Sequence, residues 1–356
     1  MSTTLAIETS CDDTSLAIVT QDKGYFSCEH MLTDSQTALH NTYGGVVPEF
    51  AYRAHADRIL RVLEELWGKD LQDRIDTITV STRPGLPWAL LVWIATAHTL
   101  WKLWWKPVIE VNHIMGHVFS TLLWRRIDMK QLPYVCLTVS GGHSDIYLVQ
   151  SYAFHEKIII QDEVNWIKRQ HLGIWEELKV WPFHVTKIGQ TRDDAAWEAF
   201  DKVARMLWWP YPGWAWLSNL AKQWKHHELV SFRASSFDDD TLDMSFSGLK
   251  SQVYNMLRKL EKNNIELDEQ MKANIAFAFE QKITHMLATK LYQAVRQYKA
   301  CSVGLVGGVA ANSVLREQIN TMVDPLHISC ATPTQMVYFT DNAAMIGVVW
   351  LLEHMQ

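Results

Sequence analysis

The chain alternates short apolar runs with polar turns and longer segments of helical spacing. TTLAIETSCDDTSLAIVT, residues 3–20, places two apolar runs around a polar turn and predicts a strand hairpin. TYGGVVPEF is a loop marked by glycine and proline. AYRAHADRILRVLEELWG repeats apolar residues at helical spacing and ends at Gly68, a C-terminal cap. DTITVST predicts a strand that runs through RPGLPWA into a long helix ending near Trp105. KPVIEV is a short strand, and NHIMGH opens the next helix.

From Leu132 the pattern starts again. PYVCLTVSGGHSDIYLVQ reads as strand, glycine turn, strand, echoing the opening hairpin. Residues 150–184 read as an insertion. TRDDAAWEAFDKVARMLWW predicts a helix capped by Thr191 or Asp193, and SSFDDDTLDMSFSGLK a loop whose acidic run is solvated surface. Gln252–Leu260 and Met271–Tyr298 are helical. CSVGLVGGVAANSVLREQIN is strand, glycine turn and helix, and the chain closes with a strand, a loop and a helix from near Asp341. The expectation is two α/β lobes, residues 1–131 and 132–356, with a cleft between them.

A length of 356 residues accommodates two full cores. A net charge of -6 excludes wrapping nucleic acid by bulk charge, leaving a local patch or a helper subunit. Five cysteines without CxxC pairing fit a reducing, cytoplasmic setting. The start MSTTLAIETS lacks the pattern of a signal peptide, and the apolar run from Pro87 to Trp105 carries His98 and Lys102, which fits a buried helix better than a membrane span. Tryptophan is unusual: 17 residues against 16 glycines, many beside glycine or proline in turn-like contexts.

VNHIMGHVFS carries the clearest chemistry. His113 and His117 stand at i and i+4 on one helix face, so both imidazoles can reach one ion; two ordinary core histidines fit the spacing equally well. Ile114 occupies the place of the glutamate in HExxH, which removes the general base of a metalloprotease. Asp341 in FTDNAAM is the carboxylate to complete the set, with a helix N-cap as its competing role. The turns VSGGHSD and VGGVAAN, with the acidic hairpin turn at residues 8–15, suit a nucleotide cradled by backbone amides. Neither a P-loop nor GxGxxG is present.

Taken together, IETSCDDTS, YGGVVPE, RPGLPWALLVW, VNHIMGH, VSGGHSD, TRDDAAWEAFDK, YPG, MSFSGLK, GGVAANSVLR and TDNAAMIG resemble, in order, the motifs of the tRNA N6-adenosine threonylcarbamoyltransferase family, the Gcp/TsaD proteins. The resemblance implies an ASKHA (actin/hexokinase/Hsp70-like) α/β fold of two duplicated lobes. It also implies transfer of a threonylcarbamoyl group from threonylcarbamoyl-AMP to N6 of adenosine 37 in tRNAs that read codons beginning with A. By that resemblance His113, His117 and Asp341 hold one divalent ion, iron or zinc. Thr138, Val139, Ser140, Gly141 and Gly142 form the substrate-binding turn, and Asp201, Trp214 and Asn312 stand at nucleotide-contacting positions. Asp12 and Asp13 match the acidic pair near the reacting centre, with Glu8 a further candidate that positions the hairpin. The implied partners are a tRNA anticodon loop and helper proteins, including a pseudo-paralogue and an ATPase. No membrane is implied. A noncatalytic partner of the same fold is the alternative, and it would lack the triad.

The chain departs from the family pattern mostly at glycines. Arg83, Trp88, Trp197, Trp208 and Trp214 stand where the resemblance expects glycine, Trp214 at a position next to the adenylate. Met115 replaces the glutamate common between the two histidines.

Overall fold

A computed structural model describes residues 1–66, 71–151, 177–180, 182–209, 213–224, 230–233 and 241–354. Most of the expected insertion, the acidic run at 238–240 and Tyr211–Pro212 of the YPG motif lie outside the described residues. The chain divides into two compact units. One comprises Met1–Lys130, Lys179–His184 and Thr332–Gln356, the other Gln131–Leu178 and Val185–Ala331. The last segment of the chain thus packs with the first unit, not with the residues that precede it.

The first unit is built on a five-stranded sheet of β1 (Ser2–Glu8), β2 (Asp13–Asp22), β3 (Tyr25–Ser35), β4 (Thr77–Arg83) and β5 (Val108–Asn112), in the order β3-β2-β1-β4-β5. β1 and β2 pair antiparallel from Ser2↔Gln21 to Glu8↔Ser15, the expected hairpin, and β4 joins β1 in parallel. The helices of this unit are α1 (Thr37–Asn41), α2 (Pro48–Leu66), α3 (Leu71–Arg74), α4 (Pro87–Trp104), α5 (His113–Phe119) and, from the end of the chain, a helix over Ala343–Glu353. Helix α2 begins at Pro48, inside the segment expected as loop, because proline fits the first helical turn where no backbone donor is needed.

β1 is buried on both faces, as its unbroken run Leu5-Ala6-Ile7 requires. Leu5, Ile7, Leu16, Ile18, Ile78 and Val80 pack with Val62 and Leu63 of α2 and with Trp93, Ala97 and Leu100 of α4. On the alternate face the Ala343–Glu353 helix lies against β1 and β2, near Thr4 and Val19. The result is three layers, helix, sheet and helix.

The second unit is organised in the same way. Its sheet runs β11-β10-β6-β7-β9-β8, from β6 (Tyr134–Val139), β7 (Ser144–Ser151), β8 (Glu177–Val180), β9 (Phe183–Gln190), β10 (Ser302–Val306) and β11 (Cys330–Ala331). β6 has an antiparallel neighbour, β7, on one side and a parallel one, β10, on the other, just as β1 lies between β2 and β4. The predicted echo between lobes is therefore present at the level of strand pairing. Helices α6 (Ala196–Met206), α7 (Gly213–Ala221), α8 (Ser247–Lys262), α9 (Glu269–Tyr298) and α10 (Ser313–Val323) complete this unit, and the chain-terminal helix Ala343–Glu353 becomes α11.

The cap expected from Thr191 or Asp193 does not form. Helix α6 starts after Ala195, without a side-chain cap. Asp193 instead accepts from the backbone N–H of Phe246 at 2.8 Å and of Ser247 at 3.2 Å, and from both serine hydroxyls, Ser245 and Ser247. Thr191 donates to the carbonyl of Asp194 at 2.7 Å. Tertiary partners have taken Asp193 away from the helix end, and a local turn has taken Thr191. Among the described residues no helix is long and apolar enough to cross a membrane.

Candidate metal centre

The site in the first unit is made where β5 ends. Asn112 caps α5, its side chain accepting from the N–H of Ile114 at 2.8 Å and of Met115 at 3.3 Å. That places His113 at the first helical position and His117 one turn on, both buried, with ring centroids 4.7 Å apart and planes at 88°. The capping role at α11 falls to Asn342, which accepts from Met345 N–H at 3.1 Å. Asp341 is thereby released from the competing N-cap role. Its Oδ1 lies 3.0 Å from Nε2 of His117 and 3.6 Å from Nε2 of His113.

Gly116 sets the distance between the two helices. A Cβ on it would stand 2.9 Å from Cγ of Met345 and 3.0 Å from Cδ1 of Ile346, so only glycine lets α5 lie this close to α11. The spacing HxxGH held that signal, but only packing reveals its use.

Around the triad sits a layer of buried polar groups. Glu8, fully buried at the end of β1, places Oε2 at 3.0 Å from Nδ1 of His113 and accepts from the N–H of Ser10 at 2.6 Å. With Nδ1–H directed at Glu8, Nε2 of His113 presents its lone pair toward His117 and Asp341. Burial alone would push His113 down, but the charges of Glu8 and Asp341 outweigh it and raise this imidazole to about 9. Burial would likewise raise Glu8, yet His113 holds it below the ordinary carboxylate range. The two form a buried ion pair when no cation occupies the triad. His113, His117 and Asp341 offer ligand atoms that all lie within 4.8 Å of one another, and this donor set of two imidazoles and one carboxylate fits a divalent ion with positions left open.

The acidic turn between β1 and β2 follows Glu8 directly. Burial raises Asp13 to about 7, with the charges of Asp12, Asp341 and Glu8 adding to the effect against a hydrogen bond from Ser35. Asp12 is raised for the same first reason, its burial. His55, on the buried face of α2, holds this turn: Nδ1 lies 2.7 Å from Thr14 Oγ1 and Nε2 lies 3.0 Å from the carbonyl of Cys11. Sequence reasoning passed over His55, since a lone histidine in an amphipathic helix carries no motif.

With this geometry in view, comparison with known proteins is decisive. A family model described as TsaD, tRNA N6-adenosine threonylcarbamoyltransferase, matches residues 29–172 and 180–348. The chain belongs to the TsaD family.

Curated TsaD relatives cover nearly its whole length. The tRNA N6-adenosine threonylcarbamoyltransferase of Clostridium perfringens (strain ATCC 13124) is 38% identical over 348 residues, 96% of this chain and 90% of that protein. The enzyme of the same description from Clostridium botulinum (strain 657) is 37% identical over 354 residues, 99% of this chain and 92% of the relative. As a TsaD-family member the chain is a transferase. Among solved structures, full-length HypF in its phosphate- and nucleotide-bound form aligns over 99% of this chain and 46% of its own, with a TM-score of 0.55 at 12% identity. HypF of T. kodakarensis aligns over 98% and 48%, with a TM-score of 0.53 at 15% identity. These two likenesses concern the fold.

The remaining TsaD-type positions lie in the second unit. Thr138 and Val139 end β6, buried, and the turn Ser140–Gly142 leads into β7, closed by Ser140 N–H on the carbonyl of His143 at 2.9 Å. Neither Gly141 nor Gly142 has a positive φ, and a Cβ on either would meet nothing. Of the two glycine turns, it is the second that has the left-handed backbone, at Gly307 with φ 88°. A Cβ there would stand 2.4 Å from the carbonyl oxygen of Val139, so Gly307 is what brings the two turns together.

Asp201, raised to about 6 by burial, accepts from the N–H groups of Gly213 at 2.7 Å and Trp214 at 3.2 Å. Asn312 caps α10 through Leu315 N–H at 3.0 Å, and its amide donates to buried Glu280 at 2.7 Å and to Ser218 at 3.1 Å. Both side chains therefore have structural duties. Trp214 and Trp197 lie with ring centroids 5.2 Å apart.

Proposed function

We propose that the chain transfers the threonylcarbamoyl group of threonylcarbamoyl-AMP to N6 of adenosine 37 in tRNAs that read codons beginning with A, releasing AMP. The observation that carries this reading is the convergence of His113, His117 and Asp341, backed by Glu8, in a chain of the TsaD family. The three side chains hold one divalent ion, iron or zinc. Such an ion supplies Lewis acidity toward an oxygen of the substrate.

In the reaction a bond forms between N6 and the carbamoyl carbon while the bond from that carbon to the phosphate oxygen breaks, and AMP leaves with the electron pair. The N6 proton passes to Asp13, whose pKa near 7 suits a base at neutral pH, with Asp12 beside it to orient the amine. Glu8 acts through His113, by fixing the tautomer and ring orientation that the ion needs. Backbone amides of the turns Thr138–Gly142 and Gly307–Asn312, with Asp201, receive the adenylate. Adenosine 37 lies in an anticodon loop, where an unpaired base is presented without opening a duplex. The acidic net charge of -6 fits a complex in which helper proteins, among them a pseudo-paralogue and an ATPase, supply tRNA contacts.

The test is transfer of radiolabelled threonine to tRNA with the carbamoyl-adenylate-forming enzyme, bicarbonate, ATP and the helpers supplied. Wild type should label tRNA and Asp341→Ala should not; equal labelling by both overturns the assignment of the centre.

A further inference from the structure

Seven described residues other than glycine have a positive φ, and three of them are tryptophan: Trp105 at 57°, Trp124 at 64° and Trp208 at 70°. Lysine supplies two, asparagine and histidine one each. This region of backbone space favours glycine, with asparagine as the usual substitute, and a bulky side chain there is an outlier. Two of the three tryptophans stand at helix C-termini. Trp105 closes α4 with its N–H on the carbonyl of Trp101 at 2.8 Å, and Trp208 follows α6 with its N–H on Arg205 at 3.0 Å. That is the position at which helices most often carry glycine. Both residues are 83% exposed, so no packing of the indole compensates for the backbone conformation. Trp124 differs in that its indole donates to Tyr338 at 3.2 Å.

Several other described tryptophans leave their polar group unused or their ring in solvent. The indole N–H groups of Trp93, Trp209 and Trp350 are buried without a hydrogen-bond partner, although a buried tryptophan ordinarily finds one. Trp88, in the first turn of α4, is 64% exposed. The ring of Trp197 stands 2.2 Å from where a Cβ on Gly308 would lie and 5.2 Å, centroid to centroid, from that of Trp214. Trp197 thus stands against the turn at Gly308, with Trp214 beside it. Composition agrees: 17 tryptophans accompany 16 glycines, where a chain of this length averages about 7% glycine. Trp88, Trp197, Trp208 and Trp214 are also four of the five large residues found where the family motifs expect glycine.

We infer that positions 88, 105, 197, 208 and 214 are glycine sites of this fold, and that the cell of origin inserts glycine there. The simplest source is a single codon whose meaning differs between decoding systems: UGA, read as tryptophan in one and as glycine in another. Glycine relieves the left-handed backbone at 105 and 208. At 197 and 214 it removes two indoles whose ring centroids lie 5.2 Å apart and frees the space the Trp197 ring takes beside Gly308. A random excess of tryptophan has no reason to collect at left-handed helix ends and glycine-turn positions.

Peptide mass spectrometry on the protein isolated from its own organism tests this directly. Peptides spanning 105 and 208 should each be lighter by the exchange of an indolylmethyl group for hydrogen; tryptophan at either position in the native protein overturns the inference. A second measurement compares thermal unfolding of the recombinant chain with tryptophan at all five positions and of the W88G/W105G/W197G/W208G/W214G variant. The glycine variant should unfold at the higher temperature, and an equal or lower one overturns the assignment of these sites to glycine. Neither readout depends on transfer activity.

Discussion

Nε2 of His117 and Oδ1 of Asp341 lie 3.0 Å apart although 224 positions separate the two residues in the chain. The contact exists because the helix that follows Asp341 is capped by its neighbour, Asn342. The two adjacent residues divide the labour, and mutation should separate them. Asn342→Ala removes a cap and should cost about 1 kcal/mol of stability while zinc or iron still binds. Asp341→Asn should leave thermal unfolding of the metal-free chain nearly unchanged and weaken metal binding by more than the roughly 10–100-fold that an outer partner carries. Calorimetric titration with unfolding curves for both variants checks the division; equal metal affinity in Asp341→Asn and wild type would refute it.

Glu8 meets the triad through His113, with Oε2 3.0 Å from Nδ1. Glu8→Gln keeps the volume but removes the charge that holds His113 up at about 9. Two readouts should move together: metal affinity should fall roughly 10–100-fold, and the His113 titration followed by NMR in the metal-free protein should shift downward. A direct base in the transfer would instead lose rate at saturating metal with affinity unchanged, which would return Glu8 to the catalytic set.

Asp13 gives opposite pH profiles for stability and rate. Its carboxyl is held at about 7 in the folded chain, above its ordinary value of 3.8. Between those two values the folded state keeps a proton that the unfolded state has lost, so stability falls as pH rises through the window and is level above it. Asp13→Asn lacks this titration, so its stability relative to wild type should rise from about pH 4 to about pH 7 and then hold constant. Transfer by the wild type should increase over the upper part of the same window as the base ionises. A stability difference that does not vary with pH would show that Asp13 titrates normally.

How far the chain could be read in advance depends on how local each signal is. The hairpin Ser2–Asp22 and helix α4 were legible because their apolar patterns lie within a single element. The histidine pair was legible for the same reason, since a spacing of four fixes a shared face. Its partner was not decided by pattern, because FTDNAAM offers Asp341 and Asn342 side by side and either can cap a helix. Asp193 misled in the opposite direction: a good capping residue by type, it is drawn off by Ser245, Phe246 and Ser247, some fifty positions later. Glu8 was expected to position the hairpin, and His55 gave no reading at all, because the partner of each, His113 for Glu8 and the Cys11–Thr14 turn for His55, is brought in by the sheet. At the glycine turns the residue type was informative but the position was not, since the left-handed backbone falls at Gly307 and leaves Gly141 and Gly142 with room to spare.

Gly116 offers the sharpest test that helix packing builds the metal centre. It binds nothing, yet a methyl group on it would stand 2.9 Å from Cγ of Met345, on the helix that follows Asp341. Gly116→Ala must push α5 and α11 apart or force Met345 out of its place, an overpacking that costs about 1–3 kcal/mol, offset in part by the better helix propensity of alanine. Because Asp341 precedes α11 by two residues, the same displacement should draw its carboxylate from the histidines and lower metal affinity. Met345→Ala alone should open a cavity and destabilise by about 2–5 kcal/mol. The double variant fills that cavity in part, so its loss of stability should be smaller than the two single losses added together. Metal affinity should recover with it. Affinity that stays low in the double variant while stability recovers would mean that Gly116 serves the ligands by some route other than the distance between these two helices.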